Sequence, residues 1–105
     1  MTQTTTASTE NIFFVAHGPD CAHFGTVKPG TAVTTGQPNL EEFSTLLEAG
    51  RRAYELQPDQ FSAWMEDDAE DYSTDEFRTY NGELYLLEGS STNDTPETSS
   101  DWVKA

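Results

Sequence analysis

Basic residues are scarce. The 105-residue chain has 5 Lys and Arg against 19 Asp and Glu, a formal net charge of −14. Affinity for nucleic acid comes largely from clustered Lys and Arg, so this balance argues against a nucleic-acid partner. Anionic lipid likewise attracts basic segments, so membrane-surface attachment is not expected. No apolar run approaches the ~20 residues of a membrane-spanning helix. The single cysteine, Cys21, excludes an internal disulfide framework and points to a reducing compartment or a fold needing no staple. Hydrophobic residues make up only 34%. Even with the glycines added, this falls short of the usual ~45–50% of globular domains. The expectation is one small acidic domain with room for two subdomains.

The first eleven residues are polar and Thr-rich, with neither a basic nor an apolar stretch of the secretory kind. Such a segment buries too little apolar surface to offset its ordering entropy, so residues 1–11 are expected to form a flexible arm. Residues 12–60 read as a strand-turn-strand-helix subdomain. Ile12 to Ala16 is an apolar, aromatic and β-branched run ended by His17-Gly18-Pro19-Asp20, the pattern of a buried strand and a turn. A second extended stretch is centred on Phe24–Val27. Lys28-Pro29-Gly30-Thr31 then suits a type II turn, which needs positive φ at its third position. An amphipathic helix is expected from an N-cap at Asn39, with Glu42 completing a capping-box-like pattern. Leu40, Phe43, Leu47 and Tyr54 recur at helical spacing, Glu48 and Arg52 are placed for an i,i+4 pair, and Pro58 bars continuation.

Residues 61–105 are different. They hold twelve acids against two bases, both tryptophans and three of the four tyrosines. Phe77 to Tyr80, Asn81-Gly82 and Glu83 to Leu87 read as a β-hairpin, because Asn-Gly is the preferred pair where both central residues need positive φ. A two-residue loop sets Tyr80 opposite Glu83, Thr79 opposite Leu84, Arg78 opposite Tyr85 and Phe77 opposite Leu86. Both faces of that hairpin are apolar enough to be covered. A Ser- and Thr-rich loop then leads to Trp102-Val103. The fold class expected is α+β: small antiparallel sheets, one amphipathic helix, and a C-terminal three-stranded aromatic β-module.

The aromatic pattern runs Ala63-Trp64, Tyr72, Phe77-x-x-Tyr80-Asn81-Gly82-x-Leu84-Tyr85, Pro96, Trp102. It resembles the chitin- and cellulose-binding β-modules of carbohydrate-binding module families 5 and 12, over residues 63–102. The resemblance implies a three-stranded sheet held by stacked aromatics, with Trp64, Tyr72, Tyr80, Tyr85 and Trp102 as candidate binding residues. It also implies a setting, since similar modules are frequent in bacteriophage tail, fibre and capsid-associated proteins. The chain departs from the family at Leu86-Leu87-Glu88-Gly89-Ser90, where exposed tryptophans usually follow, and at Thr74-Asp75-Glu76, which replaces a Gly-Asp. The resemblance therefore bears more on fold than on sugar binding.

Chemistry-bearing clusters are few. His17, Asp20, Cys21 and His23 lie within seven residues and are all possible zinc ligands, but structural zinc sites usually combine two separated pairs. Cys21 paired with either histidine lacks any context for an orienting group. The run Glu66-Asp67-Asp68-x-Glu70-Asp71 could attract calcium, yet it lacks EF-hand spacing and a turn glycine. The expectation is no enzyme, no metal and no cofactor. The leading functional reading is a non-enzymatic virion protein made in the host cytoplasm: a tail, fibre or capsid-decoration component. Its partners would be other virion proteins, with homo-oligomeric or lattice contacts. The alternatives are a carbohydrate-binding module for host surface polysaccharide and an acidic inhibitor or nucleic-acid mimic from a mobile element.

Overall fold

The computed structural model describes residues 3–19, 21–65, 72–89 and 95–105. The chain divides into two compact units, Met1–Pro58 and Asp59–Ala105. The architecture is α+β, with small antiparallel sheets, one helix and a C-terminal three-stranded sheet.

In the first unit β2 (Ile12–His17) is the centre of a sheet ordered β3-β2-β5, with β3 (Ala22–Val27) and β5 (Asn39–Phe43) both antiparallel to it. β2 is central because its apolar run can be covered on both faces, and its Val15 and Ala16 are fully buried. The turn after β3 forms as its residues require: Gly30 has φ +76° and the Thr31 N–H donates to the Lys28 carbonyl at 3.1 Å. Opposite Phe14 stands Gly25, and the Phe14 ring lies across it closely enough that a Cβ there would sit 3.0 Å from the ring.

Two expectations are corrected here. Asn39–Phe43 is strand β5, not the first turn of the helix. The helix α1 spans Leu46–Leu56, and its N-cap is Thr45, whose Oγ1 accepts from the Glu48 N–H at 3.2 Å. The hydroxyls of Thr45 and Ser44 donate to the Glu48 carboxylate at 2.9 and 3.1 Å. The motif Thr45-x-x-Glu48 therefore starts the helix six residues later than Asn39 would. Asn39–Phe43 is drawn into the sheet because β2 needs hydrogen bonds on its second side. The expected Glu48–Arg52 pair is replaced too, since Glu48 is committed to the cap and Arg52 turns to Glu41 and Glu55. At the far end the Gln57 N–H donates to the Ala53 carbonyl at 2.8 Å before Pro58 ends the helix.

The Thr-rich N-terminal segment contributes a short strand. β1 (Gln3–Thr4) pairs with β4 (Thr34–Thr35), and Thr5 is buried. The Thr5 N–H donates to the Val33 carbonyl at 2.9 Å, and the Val33 N–H donates to Thr5 Oγ1 at 2.8 Å. Thr6 N–H and hydroxyl both donate to the Glu42 carboxylate, at 2.9 and 3.3 Å. Threonine is β-branched and carries its own hydrogen-bonding group, so these contacts satisfy backbone groups with little apolar burial.

In the second unit β6 (Phe77–Tyr80), β7 (Glu83–Leu87) and β8 (Trp102–Lys104) form an antiparallel sheet in that order. The hairpin register is the one the two-residue loop dictates, from Phe77 opposite Leu86 to Tyr80 opposite Glu83. Asn81 and Gly82 have φ +52° and +79°. The outer side of β6 is met by Ser62–Trp64: Trp64 N–H donates to the Thr79 carbonyl and Thr79 N–H to the Ser62 carbonyl, at 2.8 and 2.9 Å. Leu84 and Leu86 are buried on one face, where Phe61 meets Phe77 edge-on at 5.7 Å.

Candidate functional site

Strand alternation puts Arg78, Tyr80, Tyr85, Leu87 and Trp102 on the same face of the β6-β7-β8 sheet. There Tyr72, Tyr85, Leu87 and Trp102 form a buried cluster, with Trp64 and Tyr80 packed against it half-buried. Tyr72 and Trp102 meet edge-to-face at 5.9 Å and 85°, and Trp64 meets Tyr80 the same way at 5.7 Å and 89°. These are the offset geometries that ring quadrupoles favour.

The five candidate binding aromatics thus fall into two groups. Tyr72, Tyr85 and Trp102 are only 8, 7 and 5% exposed, so their faces are taken by neighbouring side chains. Trp64 and Tyr80 retain partial exposure. The Tyr72 hydroxyl accepts from the Met65 N–H at 2.8 Å, pinning the Ser62–Met65 segment over the cluster. The Arg78 guanidinium lies 4.6 Å from the Tyr72 ring centre, a cation–π contact, and is paired with Glu76 at 2.6 Å. The indole N–H groups of Trp64 and Trp102 are buried with no acceptor among the described residues. Met65, 54% exposed, is the most exposed large hydrophobic residue among those described.

Of the group His17, Asp20, Cys21 and His23, the β2–β3 hairpin sets the two histidines on opposite faces of the sheet. His17 is directed to the α1 side of the sheet, where its Nε2 lies 2.6 Å from Glu41 Oε2. His23, opposite Ala16, alternates to the other face and is exposed. Cys21 is a free thiol, and Asp20 lies outside the described residues. Among the described residues no group of three His, Cys, Asp or Glu side chains is placed to hold a metal. The acidic run Glu66–Asp71 also lies outside them.

One constellation was not anticipated. Glu41 on β5 accepts from Arg52 Nε on α1 at 3.0 and 3.3 Å and faces His17 on β2, so three elements meet at its carboxylate. Burial works to raise its pKa, but the hydrogen bonds and charges of Arg52 and His17 outweigh burial and hold the carboxyl below its ordinary value. The signal that could have revealed it is the two-residue alternation of Asn39, Glu41 and Phe43, read as a strand. The hub ties a helix to a sheet. Comparison with protein-family models, with curated proteins and with solved structures found no match for the chain.

Proposed function

We propose that the chain is a non-enzymatic structural component of a bacteriophage particle: a tail, fibre or capsid-decoration protein that works by assembling with other virion proteins. What supports this reading most is how the second unit uses its aromatic residues. Tyr72, Tyr85 and Trp102 are spent on an internal cluster under a three-stranded sheet, and exposed carboxylates such as Asp75, Glu83, Glu88 and Glu97 surround it. That is a small rigid block with a soluble outer surface, suited to repeated placement in a symmetric assembly. The phage setting rests on the resemblance of residues 63–102 to modules common in such particles. Mass spectrometry and labelling of purified particles, with light scattering of the isolated protein, test it. Absence from every particle together with a strictly monomeric protein would sink it.

The partial exposure of Trp64 and Tyr80 favours a second reading, a module for host surface polysaccharide. Retention on chitin, cellulose or host polysaccharide that is lost in Trp64→Ala and Tyr80→Ala, with the fold intact, would support it. Equal retention of both variants would exclude stacking at these rings.

A further inference from the structure

We propose that the Glu41 carboxylate is an acid-sensitive latch that holds α1 on the sheet of the first unit. The latch is independent of the virion reading. Its basis is the order of charges: Arg52 from α1 and His17 from β2 approach one carboxylate from two elements, at 3.0 and 2.6 Å. In acid an imidazole is a cation. A proton added to Glu41 then leaves two cations facing one another across a neutral carboxyl. One titration event replaces two attractions with a repulsion.

The apolar hold on α1 is modest, which gives the latch leverage. The residues that α1 fully buries are Ala49, Gly50 and Ala53, none with a large side chain, while its larger apolar residues Leu46, Leu47 and Tyr54 are only half-buried. A second polar tie, the Ala22 N–H donating to Gln57 Oε1 at 2.9 Å, contains nothing that titrates in this range and holds the C-terminal end of the helix.

The remaining ionisable groups on the packed elements point elsewhere or act on Arg52. Glu55 lies 3.6 Å from Arg52, and Arg51 is exposed. Glu48 is engaged at the helix start by Ser44 and Thr45. Glu42 alternates to the opposite face and binds Thr6, while His23 on β3 is exposed on that same opposite face. The carboxyl of Glu41 titrates below the ordinary 4.5, because its hydrogen bonds outweigh burial. A lowered folded pKa contributes stability that is complete above the ordinary value and is lost as pH falls through the lowered one.

Hydrogen exchange of the whole chain read by mass spectrometry, corrected for intrinsic rates, tests the latch from about pH 7 to about pH 3. In the wild type, protection of the Leu46–Leu56 amides is expected to fall severalfold below the ordinary carboxylate range. Glu41→Gln should show the lower protection already at neutral pH and lose the acid step. His17→Gln keeps a donor but removes the cation, so it should blunt the step. If Glu41→Gln fails to fold, Arg52→Met, which should also lose protection at neutral pH, takes its place. Wild-type protection unchanged down to the acid end would overturn the proposal. So would an acid step of full size in Glu41→Gln or Arg52→Met, which would belong to other carboxyls.

Discussion

Replacing Leu87 with alanine tests whether the aromatic cluster is the structural core of the second unit. Leu87 is 0% exposed, lies on the central strand opposite Trp102, and packs with Tyr72 and Tyr85. Its backbone is also committed: the N–H donates to the Glu76 carbonyl at 2.9 Å, and the carbonyl accepts from the Asp75 N–H at 2.7 Å. The site therefore cannot collapse onto the lost side chain by shifting the strand. Truncating a buried leucine costs about 2.7–5 kcal/mol, from lost transfer energy plus the cavity left behind. In a domain of this size each kcal/mol moves Tm by roughly 4–8 °C, so a drop on the order of 10–40 °C is expected. Near-UV circular dichroism and tryptophan fluorescence during thermal melting would read it, with exposed Glu88→Ala as a control that should stay within about 0.5 kcal/mol. A Leu87→Ala melt within roughly 5 °C of the wild type would refute the cluster's role as a packed core.

Gly82→Ala places a Cβ at φ +79° in the hairpin turn and should cost about 1 kcal/mol or more in chemical denaturation, whereas Asn81→Gly should be nearly neutral. Thr45→Ala removes the acceptor of the Glu48 N–H and should destabilise the first unit by about 1 kcal/mol; no change would contradict the cap. With a net charge of −14, moderate salt should raise the melting temperature by screening self-repulsion, and a salt-independent melt would count against that account. Arg78→Met should be destabilising beyond its surface position, because it removes both the Glu76 pair and the contact over Tyr72; a double-mutant cycle with Glu76→Gln separates the two.

The aromatic hairpin was legible residue by residue. Asn-Gly admits one kind of two-residue turn, and once the turn is known every cross-strand pair follows. β5 was not legible, because Leu40 and Phe43 sit at a spacing that a helix would also use. What decides between them is β2, more than twenty residues away, whose second edge must be paired. The β1–β4 pairing was not legible for a related reason: hydropathy counts threonine as polar and overlooks a hydroxyl that satisfies a backbone group such as the Val33 N–H. Among the candidate binding aromatics, residue type alone could not separate Tyr72, Tyr85 and Trp102 from Trp64 and Tyr80. That distinction depends on which face of the sheet the Ser62–Met65 segment crosses.

The strands β7 and β8 close on each other just where the chain leaves one and returns to the other. Glu88 and Gly89 N–H groups both donate to the Asp101 carbonyl, at 2.8 and 3.3 Å, and the Asp101 side chain lies against Gly89. The chain between them leaves and re-enters at one clasped point, so lengthening it has little leverage on the sheet. Doubling a loop's length costs only about 0.6 kcal/mol of closure entropy. Lengthening the chain between Gly89 and Asp101 should therefore leave the β7–β8 pairing in place, which an insertion variant's thermal melt would read.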